Sequence, residues 1–383
     1  MASRYTILAE GAPLKGAFID LHPAEIPEGG ASLVDGYRIA KNRLVSYGGW
    51  SSWLPDFDSE EEELNFGFDF ELPGGQRKFV FGGPKHLYVE NHTGVVTQLN
   101  SNPFSGQGFR WSYTIMKESL VLANGVEPLQ IYNGSSLTSV PKIGRYVENV
   151  ANHLVLAYPF DTEYFGRRIL WSHLDDYTVW DGLDTEAGWF DFPSDIGEIR
   201  GLKNLGPNSC LVYGSSAIYS MSYIGLPLIF RFERVLSLEG LLAPYSLVGS
   251  SDMHFFIGNR DFYTISPGTS LRPIGLGRVR DYFFGLFDQS NKEKVYGFVH
   301  PNFPEVWWVF KDKTNTGRAL CYNWESDAWT SRGLSSSFNF SFLAAYLDLQ
   351  ERTIAQATNP IFEATVSWRD KKGKGKWVVL GAK

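Results

Sequence analysis

An aromatic residue set in a short apolar run between Gly, Asn and Asp recurs along this chain at nearly even distances. The runs are LYVENHTG around Tyr88, LQIYNG around Tyr132, RRILWSHLDD around Trp171, AIYSMS around Tyr219, DFYTISPG around Tyr263, ALCYNWESD around Tyr322 and TVSWRD around Trp368. They stand 44, 39, 48, 44, 59 and 46 residues apart. A period of roughly 40 to 50 residues made of strand-like pieces marks propeller blades, because each small sheet must stack on neighbours to bury its faces.

Local patterns agree with an all-β chain. Alternating runs such as FVFGGPKHLYVE (79 to 90) and HFFIGNRDFYTIS (254 to 266) are common, and no long stretch carries apolar residues at helical spacing. Asn124-Gly125, Asn133-Gly134 and Pro267-Gly268 supply turns between the runs. With 383 residues, 43% of them hydrophobic and 15% aromatic, a closed ring of blades accommodates the chain as one domain. The expected fold is a β-propeller of six to eight blades, seven favoured, over residues 37–383. Residues 1–36, rich in Pro and Gly, read as an extended N-terminal arm. The 37–50 segment reads as a hairpin that completes the last blade and closes the ring, which removes exposed sheet edges.

Charge narrows the function. A formal net charge of −7 argues against gripping nucleic acid or an anionic membrane, since phosphate neutralisation needs a basic excess. The basic cluster at 369–376 reads as a solvated tip, and Asp56, Asp58, Glu60, Glu61, Glu62 and Glu63 read as an acidic surface loop. Two cysteines, Cys210 and Cys321, sit in apolar strand contexts as free thiols. The N-terminus lacks signal-peptide patterning and no apolar stretch reaches the roughly 20 residues of a membrane span, so synthesis in a cytoplasm is expected.

No nucleophile elbow, P-loop, HExxH or paired CxxC is present. The seven histidines are scattered without ligand spacing, so neither a catalytic residue, a metal nor a cofactor is expected. Asp175 and Asp176 form the one carboxylate pair worth weighing as a glycosidase acid and nucleophile. Neighbours on a strand point to opposite faces, which favours turn capping instead. Two segments read as insertions, 181–197 with Trp189 and Phe190 and 300–317 with Trp307 and Trp308. These four aromatics are candidates for docking a partner, against the alternative that Trp189, Trp307 and Trp308 pack between blades.

The order of several segments resembles the tail hub or nozzle proteins of short-tailed bacteriophages, also called packaged-DNA stabilisation proteins. The matching text is Pro27-Glu28-Gly29-Gly30-Ala31 with Asp35-Gly36-Tyr37-Arg38, LVLANGVEPLQIYNG (120 to 134), RRILWSHLDDYTVWD (167 to 181), IGEIRGLKNLGPNSCLVYGSSAIYSMSYIG (196 to 225), SLEGLLAPYSLVGSSDMHFFIGNRDFYTIS (237 to 266) and LRPIGLGRVRDYFF (271 to 284), followed by VWWVF and LCYNWESDAW. The resemblance implies a structural virion protein, not an enzyme: a propeller assembled as a ring, usually sixfold, below the portal and adaptor proteins. Such a ring retains packaged DNA and conducts it at ejection without sequence-specific binding, with the adaptor and tail fibre or needle proteins as partners. An acidic wall, with 56–63 facing the lumen, suits a conduit because it repels the duplex. Chain length leaves little room for further fibre-binding domains. A monomeric lectin-like propeller that binds glycans or proteins is the alternative, with a glycosidase acting through Asp175 or Asp176 behind it.

Overall fold

A computed structural model describes residues 12–40, 43–47, 64–73, 75–91, 93–206, 208–250, 252–268, 271–300, 303–334, 339–347 and 375–382. Strands come in chain order as a hairpin, six four-stranded meanders and a second hairpin. The first hairpin is β1 (Tyr37–Ala40) and β2 (Arg43–Ser46). Blade 1 holds β3 (Phe66–Glu71), β4 (Arg77–Gly82), β5 (Leu87–Glu90) and β6 (Val96–Gln98). Blade 2 holds β7 (Ser112–Met116), β8 (Ser119–Ala123), β9 (Leu129–Tyr132) and β10 (Leu137–Val140). Blade 3 holds β11 (Ile143–Val150), β12 (His153–Phe160), β13 (Arg168–Trp171) and β14 (Gly188–Asp191). Blade 4 holds β15 (Ile199–Asn204), β16 (Ser209–Gly214), β17 (Ala217–Gly225) and β18 (Ile229–Ser237). Blade 5 holds β19 (Val248–Ser250), β20 (Met253–Ile257), β21 (Phe262–Ile265) and β22 (Arg272–Pro273). Blade 6 holds β23 (Tyr296–Val299), β24 (Glu305–Lys311), β25 (Gly317–Asn323) and β26 (Ala328–Gly333). The second hairpin pairs β27 (Asn339–Leu347) with β28 (Gly375–Ala382).

The fold is therefore an all-β, six-bladed propeller, and the favoured count of seven is corrected. Tyr88, Tyr132, Trp171, Tyr219, Tyr263 and Tyr322 lie on the third strand of blades 1 to 6 in turn, so the sequence period is the blade period. Trp368, the seventh mark, lies outside the described residues.

First strands are innermost and touch around the ring: β7 with β11, β11 with β15, β15 with β19, and β19 with β23. Strand β27 meets both β23 and β3, so the second hairpin lies between blades 6 and 1. The first hairpin pairs with itself and packs beside β26 instead of joining the ladder of blade 6. It is held there by the Asn323 amide, which donates to the Ile39 carbonyl at 3.0 Å. Tyr47 of the same segment meets Trp307 edge-on, with centroids 4.9 Å apart.

Residues 12–36 fold back on blade 6. Gly16 and Asp35 form parallel bridges to Trp329 and Ser331, and Ala17 is fully buried. Gly16 has φ +80°, and a Cβ there would stand 2.5 Å from the Trp329 carbonyl, so the close approach requires glycine.

Blades 5 and 6 share an aromatic core. Phe262 meets Phe283, Trp308 and Trp329 at centroid distances of 5.0, 5.0 and 5.1 Å. Both indoles are anchored, Trp308 Nε1 donating to Ser246 O at 2.9 Å and Trp329 Nε1 to Ile274 O at 2.7 Å. Helix α1 (Arg280–Leu286) feeds Phe283 into this core and, with the 3₁₀ segment Gln289–Lys294, fills the connection from blade 5 to blade 6. That connection explains the 59-residue interval. The supposed insertion at 300–317 instead contains the buried β24 of blade 6.

Candidate functional site

Trp307 and Trp308 lie on β24, whose six residues Glu305–Phe310 are all buried between flanking strands and neighbouring blades. Their exposures are 3% and 0%, so neither presents a docking surface and the expectation is corrected in favour of packing. Phe190 is also spent internally: it stacks on Phe232 of blade 4 with centroids 4.1 Å apart and planes 12° from parallel. Trp189, its neighbour on β14, points the other way and is 59% exposed. The Arg168 guanidinium lies 4.5 Å from the Trp189 ring centroid and forms a two-pronged pair with Asp191, at 2.7 and 2.6 Å. Asp56, Asp58 and Glu60 to Glu63 lie outside the described residues.

A second apolar projection lies at the same end of blades 3 and 4. Strand β17 pairs with β16 only as far as Ser222 and then runs on to Gly225, so the β17–β18 hairpin extends past its own blade. Its tip is Ile224, Leu226 and Leu228, exposed by 46%, 74% and 69%. The base of the hairpin is fixed, because Tyr223 and Phe230 pack around the buried His153 ring at 5.6 and 5.3 Å. Beside it, the 181–187 segment is tied down through the backbone of Glu186. Its N–H donates to His173 Nδ1 at 3.0 Å and its carbonyl accepts from Trp171 Nε1 at 2.8 Å. This segment carries the fully exposed Leu183. Sequence reasoning passed over the hairpin tip, although Gly-Leu-Pro-Leu places two leucines in a turn where polar residues are the rule.

At the opposite end, where the inner strands begin, side chains from blades that are not neighbours meet across the axis. Arg110, at the start of blade 2, lies 5.2 Å from the Tyr245 ring centroid and 4.9 Å from that of Tyr296, on the approach to blade 5 and in blade 6. Arg145 of blade 3 pairs with Glu293 and sits 3.8 Å from the Phe109 ring centroid. Arg110, Arg145, Tyr146 and Tyr296 are all buried, and burial pushes the Tyr146 phenol well above its ordinary value. This plug ties the ring across its own axis.

Asp176 caps its own turn, its Oδ1 accepting from Thr178 N at 2.8 Å and Thr178 Oγ1 at 2.6 Å. These bonds hold its carboxyl below the usual range. Asp175 occupies the left-handed region at φ +55°. Asp176 thus serves its own turn, and a carboxyl held below the usual range is unsuited to donating a proton to a glycosidic oxygen. Cys210 and Cys321 are buried free thiols. Among the described residues no three His, Cys, Asp or Glu side chains converge on one point, and no helix is long and apolar enough to cross a membrane.

No known protein-family model matches the chain, and no curated protein matches it. Solved structures do resemble it in shape. Virginiamycin B lyase from Staphylococcus aureus aligns at 10% identity over 72% of this chain and 85% of the lyase, with a TM-score of 0.46. A protein from Lactobacillus plantarum aligns at 11% identity over 70% of this chain and 83% of its own, with a TM-score of 0.45. YCF48 bound to D1 peptide aligns at 13% identity over 75% and 91%, with a TM-score of 0.40. Likeness at this level carries no argument about activity, and the architecture rests on the order of the sheets.

Proposed function

We propose that this chain is a structural subunit of a short-tailed phage virion, a ring-forming tail hub or nozzle protein below the portal–adaptor complex. The observation that carries the reading is the apolar end of blades 3 and 4, where Leu226, Leu228 and Trp189 stand in solvent on a rigidly based hairpin and an edge strand. Large apolar side chains held in solvent at one end of two adjacent blades suit a surface that an assembly covers. A heterologous contact between copies closes into a ring when its rotation divides the circle, and a sixfold ring is the reading carried by the sequence resemblance. The Arg110, Arg145, Tyr245 and Tyr296 plug supports a conduit formed between subunits, because it obstructs the axis of the single propeller. A net charge of −7 keeps such a wall from holding DNA as it passes.

Light scattering on the purified protein, with negative-stain imaging in the presence and absence of a portal–adaptor assembly, tests the reading. Rings, or saturable binding to that assembly, uphold it; a strict monomer that ignores the assembly at high concentration overturns it. One observation favours a second reading as a glycan-binding propeller: Trp189 offers an exposed ring beside the Arg168–Asp191 pair, an arrangement able to stack on a sugar and hydrogen-bond its hydroxyls. Saturable binding on a glycan array, lost in Trp189→Ala, would move the assignment there.

A further inference from the structure

Between the two apolar projections, His153 and Glu186 face each other in a way that hydrogen bonding within the chain does not satisfy. His153 is fully buried, and its Nδ1 lies 2.8 Å from the Ser172 carbonyl. A carbonyl only accepts, so Nδ1 carries a hydrogen, and in the neutral tautomer that this bond selects the ring presents a lone pair at Nε2. That lone pair faces Glu186 Oε2 at 3.5 Å, and neither atom has a hydrogen-bond partner among the described residues. Two acceptors pointed at one another in a buried site repel unless something positive lies between them.

We propose that this pair binds a divalent first-row transition metal ion, zinc foremost. Imidazole nitrogen with carboxylate oxygen is a donor set that zinc accepts, and two such ligands about a tetrahedral ion stand about 3.4 Å apart for ordinary zinc bond lengths. The observed 3.5 Å fits that spacing and exceeds the roughly 2.7–2.9 Å of a charged hydrogen bond. The surroundings are those of a ligating histidine, whose other ring N–H ordinarily donates to a backbone carbonyl or carboxylate, as Nδ1 here does to Ser172. The carboxylate is held from behind, since the Glu186 backbone bonds to both His173 and Trp171. Water completes the coordination. The ion would link the 181–187 segment to the first residue of β12, against which Tyr223 and Phe230 also pack, and so would fix both projections to one point.

Untagged protein, stripped with chelator and then titrated with zinc chloride in a calorimeter, tests the site, with the melting temperature followed in parallel. The expected result is binding of one ion per chain, a raised melting temperature, and slower proteolysis within 181–187. Glu186→Gln is expected to keep the fold and lose all three effects. His153→Asn removes the other ligand and is expected to do the same. If the wild type shows no saturable binding, a proton shared as an imidazolium–carboxylate pair accounts for the contact and the proposal falls. If Glu186→Gln binds zinc as the wild type does, the ion sits elsewhere and the proposal also falls.

Discussion

The sector of blades 5 and 6 and the sector of blades 3 and 4 are built from the same four-stranded unit and similar aromatic content, yet they place their aromatics differently. In the first, Trp308, Trp329, Phe262 and Phe283 are fully buried and touch one another, and residues 12–36 seal the outer edge. In the second, Trp171, Phe190, Phe192 and Phe232 join the blades, while Trp189, Leu183, Leu226 and Leu228 remain in solvent. An aromatic repeat thus fixes where a blade lies, but the flanking segments decide whether its rim is closed. Stability should concentrate in the sealed sector and interaction in the open one.

The comparison breaks most severely at Trp308. Replacing it by Ala removes a fully buried indole that contacts Phe262 and Trp329 and leaves a cavity between two blades. The expected cost is about 3–5 kcal/mol, read as a lower midpoint in urea unfolding. The same truncation at Trp189 is expected to change stability by no more than about 0.5 kcal/mol. Equal losses at the two positions would refute the division into sectors.

The seam between the sectors carries the next largest effect. His254 of blade 5 is fully buried, its Nε2 donating to Asn204 O at 2.7 Å and its Nδ1 lying 2.8 Å from Tyr213 Oη, both in blade 4. Burial lowers its pKa from 6.5 to about 4. As the pH falls below 6.5 the unfolded chain takes up this proton first, and the folded chain follows only near 4. The contribution is therefore complete above pH 6.5, declines with acidification, and is gone once the folded group titrates. The gap corresponds to about 3 kcal/mol. Between pH 7 and 4 the unfolding free energy of His254→Gln should decline less steeply than that of the wild type. His300, lowered to about 3 by burial and by Arg38, adds a slope of the same sign, so a double variant should flatten the curve further.

How far the sequence reveals all this depends on how local each signal is. Six repeat marks fall on the third strands because every blade solves the same packing problem with an aromatic at the same place. Helix α1 was missed because seven residues are too few to show a 3.6-residue period, and its Phe283, stacked on the following Phe287, is apolar for the sake of blade contacts. The adjacent tryptophans of VWWVF read as surface candidates only if one face of β24 meets water; a central blade strand is covered on both faces, which an unbroken apolar run signals. His153 and Glu186 are 33 residues apart, and no spacing rule joins them, because a turn of blade 3 and an inserted segment bring them together. The cross-axis plug is hidden for the same reason, Arg110 and Tyr245 being 135 residues apart.

The smallest effect on stability is the sharpest test of the open sector. Leu226 and Leu228 stand beyond the last β16 pairing and are mostly in solvent, so replacing both by Ser removes little buried area and should leave the melting temperature nearly unchanged. Their cost to the isolated chain is the exposure itself. Each leucine that becomes fully covered in an assembly contributes about 1.5–3 kcal/mol, so the double change should weaken a contact by tenfold or more if the tip is its centre. Sedimentation of wild type and Leu226→Ser/Leu228→Ser over a range of concentrations separates the cases. Loss of association with an unchanged melting temperature places the tip at the interface. Unchanged association would move the contact to another part of the rim, with Leu183 and Trp189 the next residues to alter.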